Sequence, residues 1–364
     1  MTSSSKKHRI IFIDLMRAFA VLQMVQGHTV DALLSNDYRN LDSPFFALWF
    51  FMRGMTAPIF LFTAGTVFTY LFRLVNEPFG FNQRVSKGFK RVLLLVALGY
   101  LLRYPTPTVV DFSEVTREGW KIFFSVDVLQ LIGFGLLFLL ISAFIAEKLK
   151  LNDYLVFGAG ASIFFLLSPF TQQINWINYF PEFIAAYFYT GTGSLFPLFP
   201  WVGYVILGGL LGSYLAHNPL VFKTAKFSLS LLALGSLFLI LSFLLYLIPT
   251  LLEGGKYLWM YDYNIILLRV GIVLILNSIV SYISLEMETI PKILILVGRN
   301  TLLIYIVHLM ILYGSAWNPG LSQLFAYSLN VWKTIGTALL MILLMTAMVI
   351  IIHRLKIKNK ELVV

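Results

Sequence analysis

Four ionisable residues, Asp14, Arg17, His28 and Asp31, fall inside the first apolar run of the chain. At 100° per residue a helix places all four within an arc of about 100°. Lipid cannot face that stripe, since a charge at mid-bilayer costs roughly 2.5–3.5 kcal/mol or more. It must look into a helix bundle or a wet cavity. Asp14 and Arg17 are three apart and can pair, so the two fit a structural ion pair as well as a catalytic one. His28 lies about 16 Å further along the same face at 1.5 Å per residue. Imidazole is the side chain best poised to move protons near neutral pH. Asp31, one turn on, is placed to orient it or hold its charge. A hydrogen bond to a neighbouring helix is the plainer use of a buried His.

Further polar residues recur in later apolar runs. Arg53 in the second run fits an oxyanion-neutralising or phosphate-binding role, and fits a structural pair with Asp31 equally well. Asp127 and Gln130 open the fourth run, where capping a helix N-terminus suffices for Asp127. In the ninth run Tyr305 and His308 share a face and Asn300 is offset. They suit interhelical hydrogen bonds or a second cavity wall. Arg269 in the eighth run can hold phosphates or join an ion pair. The loop 73–91, with Arg73, Arg84, Lys87, Lys90 and Arg91, can attract an anionic cofactor, although orientation in a membrane also accounts for it. No nucleotide-type glycine loop occurs, and no His, Asp or Glu spacing reads as a metal site.

The elements that must carry these residues follow from composition. Of 364 residues, 59% are hydrophobic and only 12% charged, about half the charge of a soluble domain. The rest of the surface has to face lipid. About ten runs can span: 10–33, 45–72, 91–104, 126–146, 153–171, 197–216, 227–249, 263–284, 293–314 and 331–353. The expectation is an all-α polytopic bundle, one domain over 1–364, with the first run a retained span and not a cleaved leader. A net charge of +10 raises nucleic acid as a partner. The basic residues, however, cluster in short loops between spans, which points to membrane orientation. Placing the N-terminus inside puts an excess of them on one side and both termini in the cytoplasm. All seven tryptophans then fall at outer span ends, as an interfacial belt or a sugar-stacking surface. Cysteine is absent, which excludes disulfides and a thiol nucleophile.

The first run, Arg9-Ile-Ile-Phe-Ile-Asp14-Leu-Met-Arg17 through Gly27-His28, resembles the first helix of the transmembrane acyltransferase superfamily. That group includes acyltransferase-3 O-acetylases and the catalytic domain of heparan-α-glucosaminide N-acetyltransferase. Four later segments resemble the second branch and its bacterial relatives. They begin at Arg53-Gly-Met-Thr, Asp127-Val-Leu-Gln, Leu195-Phe-Pro-Leu and Gly298-Arg-Asn-Thr, the last running to His308. The resemblance implies acyl transfer in a bacterial inner membrane. Cytoplasmic acyl-CoA, acetyl-CoA above all, is the donor and co-substrate, with no cofactor permanently bound. A glycan or glycolipid hydroxyl or amine on the outer side is the acceptor. The acyltransferase-3 pattern of Arg, ten residues, then His maps onto Arg17 and His28, with His28 as base and Asp14 anchoring Arg17. In the lysosomal enzyme the position matching His28 is an Asn and the catalytic His lies further along, where this chain has Arg39. That departure favours His28 acting as in the O-acetylases. Arg53, Asp31, Asp127, Gln130, Arg269, Asn300, Tyr305 and His308 are the expected substrate-binding set. A homo-oligomer stays open. A proton-coupled transporter or flippase using the same stripe is the alternative; no inverted repeat and no pair of broken helices is visible in its favour.

Overall fold

A computed structural model describes residues 10–75, 77–251, 259–287 and 289–361; side chains at 249–251, 259–261 and 358–361 are outside the description. Lys6, Lys7, Arg9 and Lys256, counted in the charge balance, Tyr257 of the outer aromatic set, and the side chains of Trp259, Tyr261, Lys358 and Lys360 lie outside the described residues.

The described chain is all-helical. Its elements are α1 (Ile11–Leu33), α2 (Pro44–Arg73), α3 (Gln83–Leu102), α4 (Arg117–Phe124), α5 (Val128–Lys148), α6 (Asp153–Gln173) and α7 (Glu182–Ala185). There follow α8 (Leu198–His217), α9 (Ala225–Leu251), α10 (Trp259–Leu285), α11 (Lys292–Arg299), α12 (Thr301–Tyr313), α13 (Leu321–Phe325) and α14 (Val331–Glu361). Seven stretches are long and apolar enough to cross a membrane: α2, α4–α5, α6, α8, α9, α10 and α14. The chain is an integral membrane protein. Helices also fill the first and third expected runs, but α1 carries Asp14, Arg17 and Asp31, and α3 opens on Arg84, Lys87, Lys90 and Arg91. Their charge keeps both out of the seven, so length and apolarity alone do not establish the expected count of about ten.

Two expectations need correcting. The third run begins at Gln83 and not at 91, because the Asn82 side chain accepts the Arg84 N–H at 2.8 Å and caps a helix there. The basic residues read as loop therefore stand on a helix, with Arg84, Lys87 and Arg91 on one face. The ninth run is not one straight span: α11 and α12 meet at Asn300 with a 74° bend. Asn300 leaves helical geometry at φ −108°, ψ 27°, and its Nδ2 donates to the Leu296 carbonyl at 2.8 Å. The Gly298-Arg299-Asn300 triplet is the local signal for that break.

Close packing fixes the frame. A methyl group on Gly65, Gly208 or Gly212 would run into backbone atoms of the facing helix, so α2 and α8 meet backbone to backbone, as small residues permit in membranes. Gly298 likewise lets α11 approach the Asp14 carbonyl of α1. α1 packs against α2, α10, α11, α12 and α14, so its polar stripe faces protein.

Candidate active site

The site is built around His28. Its Nδ1 lies 3.1 Å from Nε2 of His308, the rings nearly parallel at 20° with centroids 5.3 Å apart. His308 is fully buried on α12, and its Nδ1 sits 2.8 Å from the Ile304 carbonyl. A carbonyl only accepts, so His308 carries its proton on Nδ1 and offers Nε2 as an acceptor. His28 must then donate from Nδ1, which leaves the lone pair on its own Nε2. This is the tautomer a general base needs. The break at Asn300 helps set the direction of α12 and hence the reach of His308. Tyr305 stacks edge-on against His308 and Tyr313 against His28.

Two arginine–carboxylate pairs flank the imidazoles. Arg53 is paired with Asp31, which also draws Arg39 to 3.8 Å. The structural alternative for Arg53 is thus the observed one. Asp31 serves the arginines, and the group that orients His28 is His308. Arg103, at the end of α3, meets Asp127 at 2.8 Å and also donates to Ser125. Asp127 caps α5 in a capping box with Gln130, whose side chain receives the Asp127 N–H at 3.3 Å. Gln130 is fully buried against Gly99. The segment 194–196 docks beside Asp127 through the Leu195 and Phe196 N–H groups on the Val126 carbonyl and the Ser194 hydroxyl on the Val126 N–H.

Three cavities open around these groups. One of about 310 Å³ is lined by His28, Arg53, Asp127, Phe196, Trp201, Arg269 and Tyr305. A second of about 680 Å³ adds Asp31, Arg103, Tyr104, Tyr313 and Gln323 and reaches the aromatic end of the bundle. The third, about 440 Å³, lies toward the opposite, basic end. Arg17, Arg84, Lys87, Arg91 and Thr301 line it, with apolar walls from α2 and α5. Tyr305 lines all three; Phe60 is common to the basic cavity and the smaller His28 cavity, Leu129 to the basic cavity and the larger one.

Of the expected site residues, the structure gathers His28, Asp31, Arg53, Asp127, Arg269, Tyr305 and His308 into one region. Arg17 is not beside His28 but in the basic cavity. Asp14 lines none of these cavities, and Gln130 supports Asp127 from behind. Asn300 does not join the wall, because its side chain is spent on its own helix. Arg269 is on the His28 side, remote from the basic cluster. Reading the sequence missed Arg103, Phe196, Trp201 and Tyr313 as site residues. An Arg ending one span beside an Asp opening the next was the available signal for Arg103. Among the tryptophans Trp201 alone of the described side chains lines these cavities, while Trp120, Trp176 and Trp317 stack on other aromatic rings and Trp332 stays exposed.

Residues 9–249 match the sequence model of the heparan-alpha-glucosaminide N-acetyltransferase catalytic family. The chain belongs to that family. Membership makes it, at the general level, a membrane acetyltransferase. No curated protein and no solved structure matches the chain. The family match takes in α1–α8 and nearly all of α9, hence His28, Arg53 and Asp127. Arg269, Tyr305 and His308, together with the resembling segment that begins at Gly298, lie beyond it. His28 thus lies inside the matched region, and His308, its hydrogen-bond partner, lies outside it.

Proposed function

We propose that the chain moves an acetyl group from acetyl-CoA, bound at the basic end, to a carbohydrate amine or hydroxyl entering from the aromatic end. The observation that carries this reading is the pair of cavities on either side of Tyr305. One is rimmed by four cationic side chains; the other holds a histidine whose Nε2 is free to accept a proton. The CoA phosphates suit Arg17, Arg84, Lys87 and Arg91, and the apolar walls of α2 and α5 suit the pantetheine arm. The excess of basic residues at that end orients it toward the cytoplasm. In a bacterial cell the chain would sit in the inner membrane.

The chemistry follows from the tautomer. His28 Nε2 takes the proton of the acceptor N–H or O–H as that atom attacks the thioester carbonyl carbon. The tetrahedral intermediate collapses, the C–S bond breaks, and the departing thiolate receives the proton from Nε2. His308 holds the His28 Nδ1–H throughout, which keeps Nε2 aimed at the reacting atoms. General base catalysis of this kind contributes about 10²–10⁴-fold.

Inverted membrane vesicles given labelled acetyl-CoA and total envelope glycans test the assignment. Wild-type protein labels the glycan fraction and His28→Ala loses about 10²-fold or more of that rate. Equal labelling by the two would remove His28 from the mechanism. The broken helix α11–α12 gives a second reading some footing, since helix ends at membrane depth also serve transporters. Proton-coupled uptake of glycan by these vesicles, with no acetyl transfer, would establish it.

A further inference from the structure

Three side chains are shared between the basic cavity and the cavities around His28: Phe60, Leu129 and Tyr305. Phe60 and Leu129 offer only carbon. Tyr305 lines all three cavities, and its hydroxyl is the one polar side-chain group on that shared wall. The other polar groups are confined to one side or the other. Arg53, Asp127 and Arg269 line the smaller His28 cavity but not the basic one, and Arg17 and Thr301 line only the basic one. Tyr305 is 2% exposed, and its hydroxyl makes no hydrogen bond among the described residues. Its ring meets the His308 ring edge-on at 5.6 Å. Three apart on α12, the two share a helix face, so one element places both the phenol and the residue that holds His28. A phenol with an ordinary pKa of about 10 carries its proton at neutral pH and can donate it to a hydrogen bond.

We propose that the Tyr305 hydroxyl is the oxyanion donor of the transfer step, an inference that rests on the acetyl-transfer reading. A thioester entering from the basic cavity and an acceptor on the His28 side can meet only where the cavities adjoin, alongside Tyr305. As the acceptor atom bonds to the carbonyl carbon, the C=O π pair moves onto oxygen and His28 Nε2 takes the acceptor proton. Tyr305 donates a hydrogen bond to that oxygen and keeps its own proton. The pair then returns to re-form C=O, the C–S bond breaks, and the thiolate leaves with the proton from Nε2. A donor fixed in a buried wall needs no reorganisation when the charge develops, which is where such a contact is worth most. Because His308 is on the same helix face, the donor and the base are held in one register.

The full-length chain in inverted vesicles, given labelled acetyl-CoA and envelope glycans, provides the test. Tyr305→Phe removes the hydroxyl and little else. Its maximal rate should fall about 10²–10³-fold. The dissociation constant of acetyl-CoA, from calorimetric titration, should change by less than about threefold, since the contact is made in the transition state. The acidic limb of the pH profile should keep its wild-type position in Tyr305→Phe, because the His28–His308 bond is intact. A packing role exerted through His308 would move that limb and overturn the proposal. An undiminished maximal rate in Tyr305→Phe would overturn it too. 3-Fluorotyrosine at position 305 keeps a hydroxyl and makes it more acidic, so it should match or exceed the wild-type rate. A rate reduced to the level of Tyr305→Phe there would count against the hydroxyl, and this arm decides the matter if the Phe variant does not fold. The wild-type rate separates the two failures. Transfer by wild type with no loss in Tyr305→Phe defeats the oxyanion role alone, whereas no transfer by wild type defeats the acetyl-transfer reading and this inference with it.

Discussion

At the scale of the residue, the site turns on a proton whose position is dictated by one backbone carbonyl. Ile304 fixes His308, His308 fixes His28, and the lone pair ends at His28 Nε2. His308→Ala should therefore lower the rate about 10–10²-fold without touching the base itself, because the tautomer is no longer held. His308→Gln, whose amide oxygen can accept from His28 Nδ1, should recover most of that loss. The pH profile distinguishes positioning from a merely structural role. Activity must fall on acidification as His28 takes up a proton, and that limb should move in His308→Ala and return in His308→Gln. An unmoved limb in His308→Ala would assign His308 to packing alone. That His28 faces protein was legible in the sequence, because a polar stripe within an apolar run cannot face lipid, and the interhelical hydrogen bond, its plainer use, is the contact observed. Its partner was not, since 280 residues separate the two and the spacing of Tyr305 and His308 shows a shared helix face but not what it meets. For Asp31 local spacing misled: one turn from His28 invites a carboxylate–imidazole pair, yet Arg53 and Arg39 claim it.

Elements place these residues through backbone contact more than through side-chain interlock. The α2–α8 seam has no room for a Cβ at Gly65 or Gly208. Gly65→Val or Gly208→Val must push the helices apart and should cost about 3 kcal/mol or more, beyond ordinary overpacking because the obstacle is backbone. The check is a thermal unfolding midpoint in detergent, with Gly54→Ala as control, since a Cβ there meets nothing. Existence of the helices was readable from apolar run length, and so was the cap at Asp127. Ends were less so. The start of α3 was hidden because its first turns are basic, and charge reads as loop when apolarity is the criterion. The break at Asn300 was hidden for the opposite reason, as apolar residues on both sides present one continuous hydropathic stretch. Composition averages over the single residue whose φ and ψ decide the bend.

For the whole molecule the governing feature is the separation of a basic cavity, lined by Arg17, Arg84, Lys87 and Arg91, from the two cavities around His28. Arg84→Gln/Lys87→Gln should raise KM for acetyl-CoA about tenfold, with the gap narrowing at high salt as screening replaces the lost charges. KM for the acceptor should not move. Steady-state transfer assays at two ionic strengths decide it, and an equal change in both KM values would mean that the basic cavity is not a separate donor site. The clustering of basic residues between apolar runs was plain in the sequence, because it is a property of position along the chain. The cavities were not, since each takes walls from several helices.

Phe60, Leu129 and Tyr305 stand between the basic cavity and the chambers around His28. A protein hollow from both ends is a hazard to the membrane it occupies, because a continuous file of water would conduct protons and discharge the cell. The side chains shared by the cavity walls are an aromatic ring, an aliphatic chain and one phenol, which offer such a file little to hydrogen-bond. On the proposed reading the thioester has to reach His28 past that same wall, so the side chains that meet the solvent from both ends also meet the donor.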